Sequence, residues 1–177
     1  MIVIVNNGKG AEEISRSIRM KNAIADPKKL PDNASAYILS DGTMNRDAQK
    51  NTQKLVDSGR PLLGIGLGAA YLAAAFGASV TETKPARQER VSLKKPCPLL
   101  LDMKRMFVVM KDSRYAINEA PENFAVMASS AKYPFEVIMD LQQPFFGVAF
   151  NPELGGDGRT VLINFERFVE VWGKYHK

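Results

Sequence analysis

Seventeen residues, Pro61-Leu-Leu-Gly64-Ile-Gly66-Leu-Gly68-Ala-Ala-Tyr-Leu-Ala-Ala-Ala-Phe76-Gly77, constrain this chain more than any other stretch. An apolar run is interrupted by alternating glycines and followed by alanine-rich sequence that favours helix. That pattern predicts a buried strand, a tight turn and a helix packed closely behind it. In α/β proteins such a turn stands at the carboxyl end of a central strand, where ligands and nucleophiles are usually placed. Gly66 falls at the apex, and glycine has no side chain with which to attack anything.

The flanking sequence extends the pattern. Ile2 to Val5 is a continuous β-branched run, as in a strand covered on both faces, and Asn6-Asn7-Gly8 closes it with turn chemistry. Ile14 and Ile18 predict a helix within Ala11 to Met20, and Asp26-Pro27 and Pro31-Asp32 punctuate a loop. Ala36 to Leu39 reads as a second buried strand, closed by Ser40-Asp41-Gly42-Thr43, and Met44 to Ser58 as a surface helix stopped by Gly59. Strand and helix alternating three times predict a parallel sheet with crossover helices.

From Ala78 to about Phe124 the character changes. Val80 to Val91 is charged, and with Leu99 to Leu101 and Met106 to Met110 it predicts antiparallel strands and ribbons on one edge. Asn123 to Ala128, Phe135 to Met139 and Phe145 to Phe150 are further strand candidates. Leu154 to Gly158 reads as a mobile loop, and Val161 to Lys174 as a last helix on Asn164, Phe168 and Val171 or Trp172. With no repeat and no linker, the expectation is one domain over residues 1–177.

Composition narrows the chemistry. The single cysteine, Cys97, excludes an internal disulfide, and the single histidine, His176, is the penultimate residue. Together they exclude most zinc sites and nearly all Cys-His or Ser-His dyads. Cys97, between two prolines, reads as a small buried hydrophobe, and His176 as a tail residue. The net charge of +5 permits an anionic ligand or acidic partner but is too small and dispersed to argue for nucleic acid. Lys84, Arg87, Arg90, Lys94 and Lys95 alternate with Glu82 and Glu89, which fits a solvated ribbon. The phenylalanines at 145, 146, 150, 165 and 168 and the methionines at 103, 106 and 110 read as core. No apolar run is long enough to cross a bilayer and no signal peptide opens the chain, so a cytoplasmic protein is expected.

Two readings of the glycine turn remain. Gly64-x-Gly66-x-x-Ala69, with Glu82 beyond it, matches a loose dinucleotide fingerprint, though on the third strand rather than the first. The alternative is a nucleophile elbow. Here the segment from Pro61 to Gly77 resembles the elbow of class I (triad-type) glutamine amidotransferases, and in particular the stand-alone glutaminase subunit of archaeal GMP synthase, with Gly-x-Cys-x-Gly-His-Gln at the turn. Met1 to Gly8 is similar to that family's opening strand, and Leu39-Ser40-Asp41-Gly42 to its oxyanion loop. Phe146-Gly-Val-Ala-Phe-Asn151-Pro152-Glu153 is similar to its Gly-x-x-Phe-His-Pro-Glu, and Pro121 to Phe124 to another recurring piece.

The resemblance implies a three-layer, flavodoxin-like α/β sandwich, with a mainly parallel central sheet and an antiparallel extension. It places the family cysteine on Gly66, the histidine on Asn151 and the third triad member on Glu153. The oxyanion and substrate positions fall on Asp41, Gly42, Leu67, Ala69, Ala70, Asp112 and Ser113. No metal or other cofactor is expected. Nucleophile, base and glutamine contacts are replaced together, so the expected protein is a pseudoenzyme that binds a partner or a small ligand at the vestigial site. A synthetase subunit of the ATP-pyrophosphatase type is the partner the resemblance suggests. An active glutaminase supplying such a synthetase with ammonia, and a nucleotide or anion binder using the Gly64–Gly68 turn, are the alternatives.

Overall fold

The computed structural model describes residues 1–176. In chain order the elements are β1 (Ile2–Val5), β2 (Gly8–Lys9), α1 (Ala11–Ser17), β3 (Asn22–Ala25), β4 (Ala36–Leu39), β5 (Asp41–Gly42), α2 (Arg46–Asp57), β6 (Leu62–Ile65) and α3 (Leu67–Ala75). They continue with β7 (Val80–Glu82), β8 (Arg87–Leu93), β9 (Met106–Lys111), β10 (Tyr115–Ile117), β11 (Phe124–Ser130), β12 (Val137–Asp140), β13 (Phe145–Val148) and α4 (Thr160–Tyr175).

Nine strands form one sheet in the order β3-β1-β4-β6-β13-β12-β11-β8-β9. The first five are parallel and the rest are antiparallel, so the expected α/β architecture with its extension is present. The parallel strands read as unbroken apolar runs because both faces are covered. Alternate side chains go to opposite layers: Ile2 and Ile4 pack with Ile14, Val161 and Phe165 on one side. Val3 and Val5 pack with Leu55, Leu67 and Leu72 of α2 and α3 on the other.

Some local expectations are corrected. β3 is not foreshadowed by its residues: Asn-Ala-Ile-Ala carries little β propensity, yet it pairs in parallel with β1 at the sheet's edge. Helix α1 ends at Ser17 rather than Met20. Pro98–Leu100 is a 3₁₀ turn instead of a strand, since Pro98 fixes φ at its first position. β7 leaves the main sheet and pairs with β10. The segment after Glu153 is not mobile: it carries a 3₁₀ turn at Asp157–Arg159. The Val108 N–H donates to Asp157 Oδ2 at 2.9 Å, and Gly156 bridges to Val109. On α4 the buried face is Val161, Leu162, Phe165 and Val169, whereas Ile163 and Val171 are about half exposed. Met106 is also half exposed, on the edge strand β9.

Candidate functional site

Gly64 and Gly68 are glycines because the backbone of neighbouring elements comes too close for anything larger. A Cβ at Gly64 would lie 2.6 Å from the Ala69 backbone, and one at Gly68 would overlap the Leu39 carbonyl oxygen. They bring α3 down onto β4 and β6, the close-packing role rather than the phosphate-binding role of a glycine-rich turn. Between them Gly66 caps α3 with φ 55° and ψ −112°, a conformation that strains any residue with a side chain.

Asp41 stands directly over this turn. Its carboxylate is 1% exposed and accepts from three donors: the Leu67 N–H to Oδ1 at 2.9 Å, Ser113 Oγ to Oδ1 at 3.0 Å and Asn151 Nδ2 to Oδ2 at 3.1 Å. Space for a side chain on Gly66 is taken by the same group, since a Cβ there would lie 2.6 Å from Asp41 Oδ1 and 2.8 Å from Ser113 Oγ. The position of Asp41 follows from its neighbours. Ser40 Oγ accepts the Asn7 N–H at 2.9 Å, and β5 pairs with β2 so tightly that a Cβ on Gly42 would overlap the Asn7 carbonyl.

Asn151 joins the remaining pieces. Its Oδ1 accepts from the Asp112 and Ser113 N–H groups at 2.8 and 3.1 Å, which orients the amide unambiguously. Its Nδ2 then faces two carboxyl groups, Asp41 Oδ2 and Glu153 Oε1, each at 3.1 Å. The Asp112 side chain turns outward to pair with Lys9 at the rim. Thus Asp41, Gly66, Leu67, Ser113, Asn151 and Glu153 meet in one cluster, while Gly42 serves the β2–β5 contact.

Burial pushes the Glu153 carboxyl up from its ordinary 4.5 to about 7, against the lowering effect of backbone and Asn151 hydrogen bonds; the Asp41 and Glu13 charges raise it further. Glu153 Oε2 is buried without a partner, and Gly10 leaves no room for the group to turn away. The folded-state value lies above the unfolded one, so the folded protein binds the extra proton. The associated stability, about 3 kcal/mol, is present below pH 4.5 and lost as pH rises through 7. Glu153→Gln is expected to flatten that fall when unfolding free energy is measured by urea titration between pH 5 and 8. An unchanged slope would assign the proton elsewhere.

Ala69 and Ala70 face a cavity walled by Gly66, Tyr115, Tyr133, Phe135 and Ala149, with a volume of about 10 Å³. That holds about one water molecule, against the several hundred Å³ of an ordinary small-molecule site. Behind its wall lies a buried ion pair absent from the sequence-based expectations. Lys111 Nζ donates to Glu136 Oε1 at 2.6 Å, Ser130 Oγ donates to the same oxygen at 2.8 Å, and the lysine sits 4.5 Å above the Tyr133 ring. The sequence does carry a signal for it: Phe107, Val109 and Lys111 alternate along β9 on its buried face, and a lysine there needs a carboxylate. Burial pushes the Tyr133 hydroxyl up to about 12; its oxygen accepts the Ile117 N–H at 2.9 Å.

The cluster therefore contains two carboxyl groups, an amide and a hydroxyl, with no thiol or imidazole. Ser113 Oγ is buried and already donates to Asp41. Cys97 is 6% exposed in the opposite core layer, with its thiol pushed up by burial despite the N–H groups of Leu99 and Leu100. His176 stacks on Trp172 at the end of α4, with ring centroids 3.6 Å apart.

A strand–elbow–helix turn in a mixed sheet, faced by the loops after β4 and β13, defines a class of protein. The chain belongs to the class I glutamine amidotransferase family, described as "Glutamine amidotransferase class-I" and matching over residues 4–171. Among its relatives is the stand-alone subunit of the glutamine-hydrolyzing GMP synthase of Methanococcus aeolicus, 28% identical over 98% of this chain and 100% of that protein. The corresponding Pyrococcus abyssi protein is also 28% identical, over 94% of this chain and 97% of its own length. A Thermoplasma acidophilum protein described as a GMP synthase subunit superposes with a TM-score of 0.88 at 25% identity, covering 98% of this chain and 96% of that one. No helix among the described residues is long and apolar enough to cross a membrane.

Proposed function

We propose that this chain is a non-catalytic member of its family, a pseudoenzyme of one domain in which glutamine hydrolysis has been lost and the elbow retained as architecture. The observation that carries the reading is the Asp41 carboxylate bonded to the Leu67 N–H above a side-chain-free Gly66. An elbow N–H stabilises negative charge developing on a substrate only when nothing else occupies it. Here it is spent on the protein's own anion, and a second anion is repelled. The base position, Asn151, carries an amide that does not titrate near neutral pH. The one-water cavity above Ala69 and Ala70 supports a filled scaffold rather than a small-ligand site, and it also weighs against a nucleotide at the Gly64–Gly68 turn. What remains for function is the outer surface, and the GMP synthase relatives suggest that the protein docked there is a synthetase.

The test is ammonia release from glutamine, assayed for the protein alone and with a synthetase of the ATP-pyrophosphatase type. No turnover is expected in either case. Turnover in the intact protein, abolished by Cys97→Ser, would establish the active-glutaminase reading instead. Gaining activity is expected to need at least Gly66→Cys, Asn151→His and Asp41→Gly together. The third change is required because Asp41 fills both the thiol's space and the anion site.

A further inference from the structure

A second concavity, of about 440 Å³, lies away from the elbow, between α2 and the loop joining β3 to β4. Its volume is that of a small-molecule site. Four cations line it, Lys28, Lys29, Lys54 and Arg60, against a single carboxylate, Asp32. Among the described residues the ion pairs are Lys9–Asp112, Arg16–Glu13, Lys111–Glu136 and Arg167–Asp102, so none of the four is neutralised within the chain. Like charges converging on a concave surface raise the local potential and concentrate anions there.

The groove is built rather than incidental. Three side chains, from α2, the turn after it and β4, hold the loop by its backbone carbonyls. Asn51 Nδ2 donates to Pro27 at 2.9 Å, the Tyr37 hydroxyl to Pro31 at 3.1 Å, and Arg60 Nη1 to Asp32 at 2.5 Å. Asp26 Oδ1 accepts the Lys28 N–H at 2.7 Å, a turn that sets the adjacent lysines on the rim. Arg60 is half-buried, and its protein hydrogen bonds leave through Nη1 only, so Nε and Nη2 are left to meet an anion in a fork. Leu30, Pro31 and Leu55 supply apolar wall beside the charges.

We propose that this groove binds a phosphorylated small molecule carrying two or more negative charges, with the phosphate between Arg60 and the lysines. The site is independent of the elbow and does not depend on whether glutamine hydrolysis has been lost. Binding of inorganic pyrophosphate, and of a phosphorylated sugar in parallel, is measured by titration calorimetry with ionic strength matched by sodium chloride. Saturable binding of one equivalent below about 1 mM is expected, with Kd raised at least tenfold in Lys28→Gln/Lys54→Gln. Both residues are exposed lysines, so that variant keeps its fold. Lys94→Gln/Lys95→Gln, on the antiparallel extension, is expected to leave Kd unchanged. Tighter binding of the sugar phosphate than of pyrophosphate assigns the apolar wall to the ligand's body, whereas equal binding assigns the site to the phosphate alone. Equal Kd in both variants, or no saturation by about 1 mM, overturns the proposal. Binding of a single-stranded oligonucleotide without either small phosphate would overturn it in favour of a nucleic-acid surface.

Discussion

Gly66→Cys is expected to produce a protein less stable by roughly 3–5 kcal/mol that still releases no ammonia from glutamine. The backbone at φ 55°, ψ −112° accounts for about 1–3 kcal/mol of that in any residue bearing a Cβ. The rest comes from Asp41, whose Oδ1 would lie 2.6 Å from the new carbon and must move. Moving it takes the acceptor from the Leu67 N–H, Ser113 and Asn151, and a buried donor left unpaired costs about 1–3 kcal/mol. Against a total stability of about 5–15 kcal/mol the change is large and is read directly from the urea midpoint. Asp41→Gly supplies the control. It costs stability alone by removing the shared acceptor, but it also clears the space beside residue 66. The double variant is therefore expected to be more stable than the two single losses added together. Strict additivity would mean that Asp41 does not obstruct the elbow.

Lys111→Ala is expected to be comparably damaging, by about 3–5 kcal/mol, although it lies outside the Asp41 cluster. Glu136 is 0% exposed, and its Oε2 already lacks a partner, so without the lysine it becomes a buried carboxylate held only by Ser130. The contrast is Lys111→Met/Glu136→Met. Removing both charges with similar volumes is expected to recover most of the loss, because a buried pair offsets its own desolvation only approximately. Ser130 retains an acceptor in that variant, the Tyr133 carbonyl at 3.3 Å. Thermal denaturation of the three proteins distinguishes the outcomes. A double variant as unstable as Lys111→Ala would show that the pair positions the Tyr133 wall in a way that apolar side chains cannot.

Much of the architecture can be read from local pattern. The apolar runs at Ile2 to Val5, Ala36 to Leu39 and Leu62 to Ile65 are long enough, and flanked clearly enough by turn residues, to identify buried parallel strands. β3 escapes such a reading because Asn22-Ala-Ile-Ala has no such signature. It is a strand through its pairing with β1, a contact made by the fold rather than by its own composition. Leu99 and Leu100 are apolar enough for a strand, but Pro98 and the packing of α4 make them a turn; Asn164 Nδ2 donates to the Leu99 carbonyl at 2.9 Å. The glycines of Leu154 to Gly158 suggest mobility, but the segment's anchor, Asp157 to Val108, lies 49 residues away in sequence.

The candidate site divides in the same way. Residue identities alone determined that no thiol or imidazole stands at the elbow, because one cysteine and one histidine in the whole chain lie elsewhere. They also determined that the turn is glycine-rich and that Asp41, Asn151 and Glu153 accompany it. Only the tertiary structure decided what those residues do together. Asp41 comes from the end of β4, Ser113 from the start of β10, and Asn151 and Glu153 from the segment after β13, so no local pattern records that they share one hydrogen-bond network. The same holds for Lys111 and Glu136, and for the four cations that the loop after β3 and helix α2 gather around one groove. Hydrophobic periodicity is a short-range property and fixes elements. The occupancy of a site depends on polar contacts between elements distant in sequence, and those exist only once the sheet has assembled.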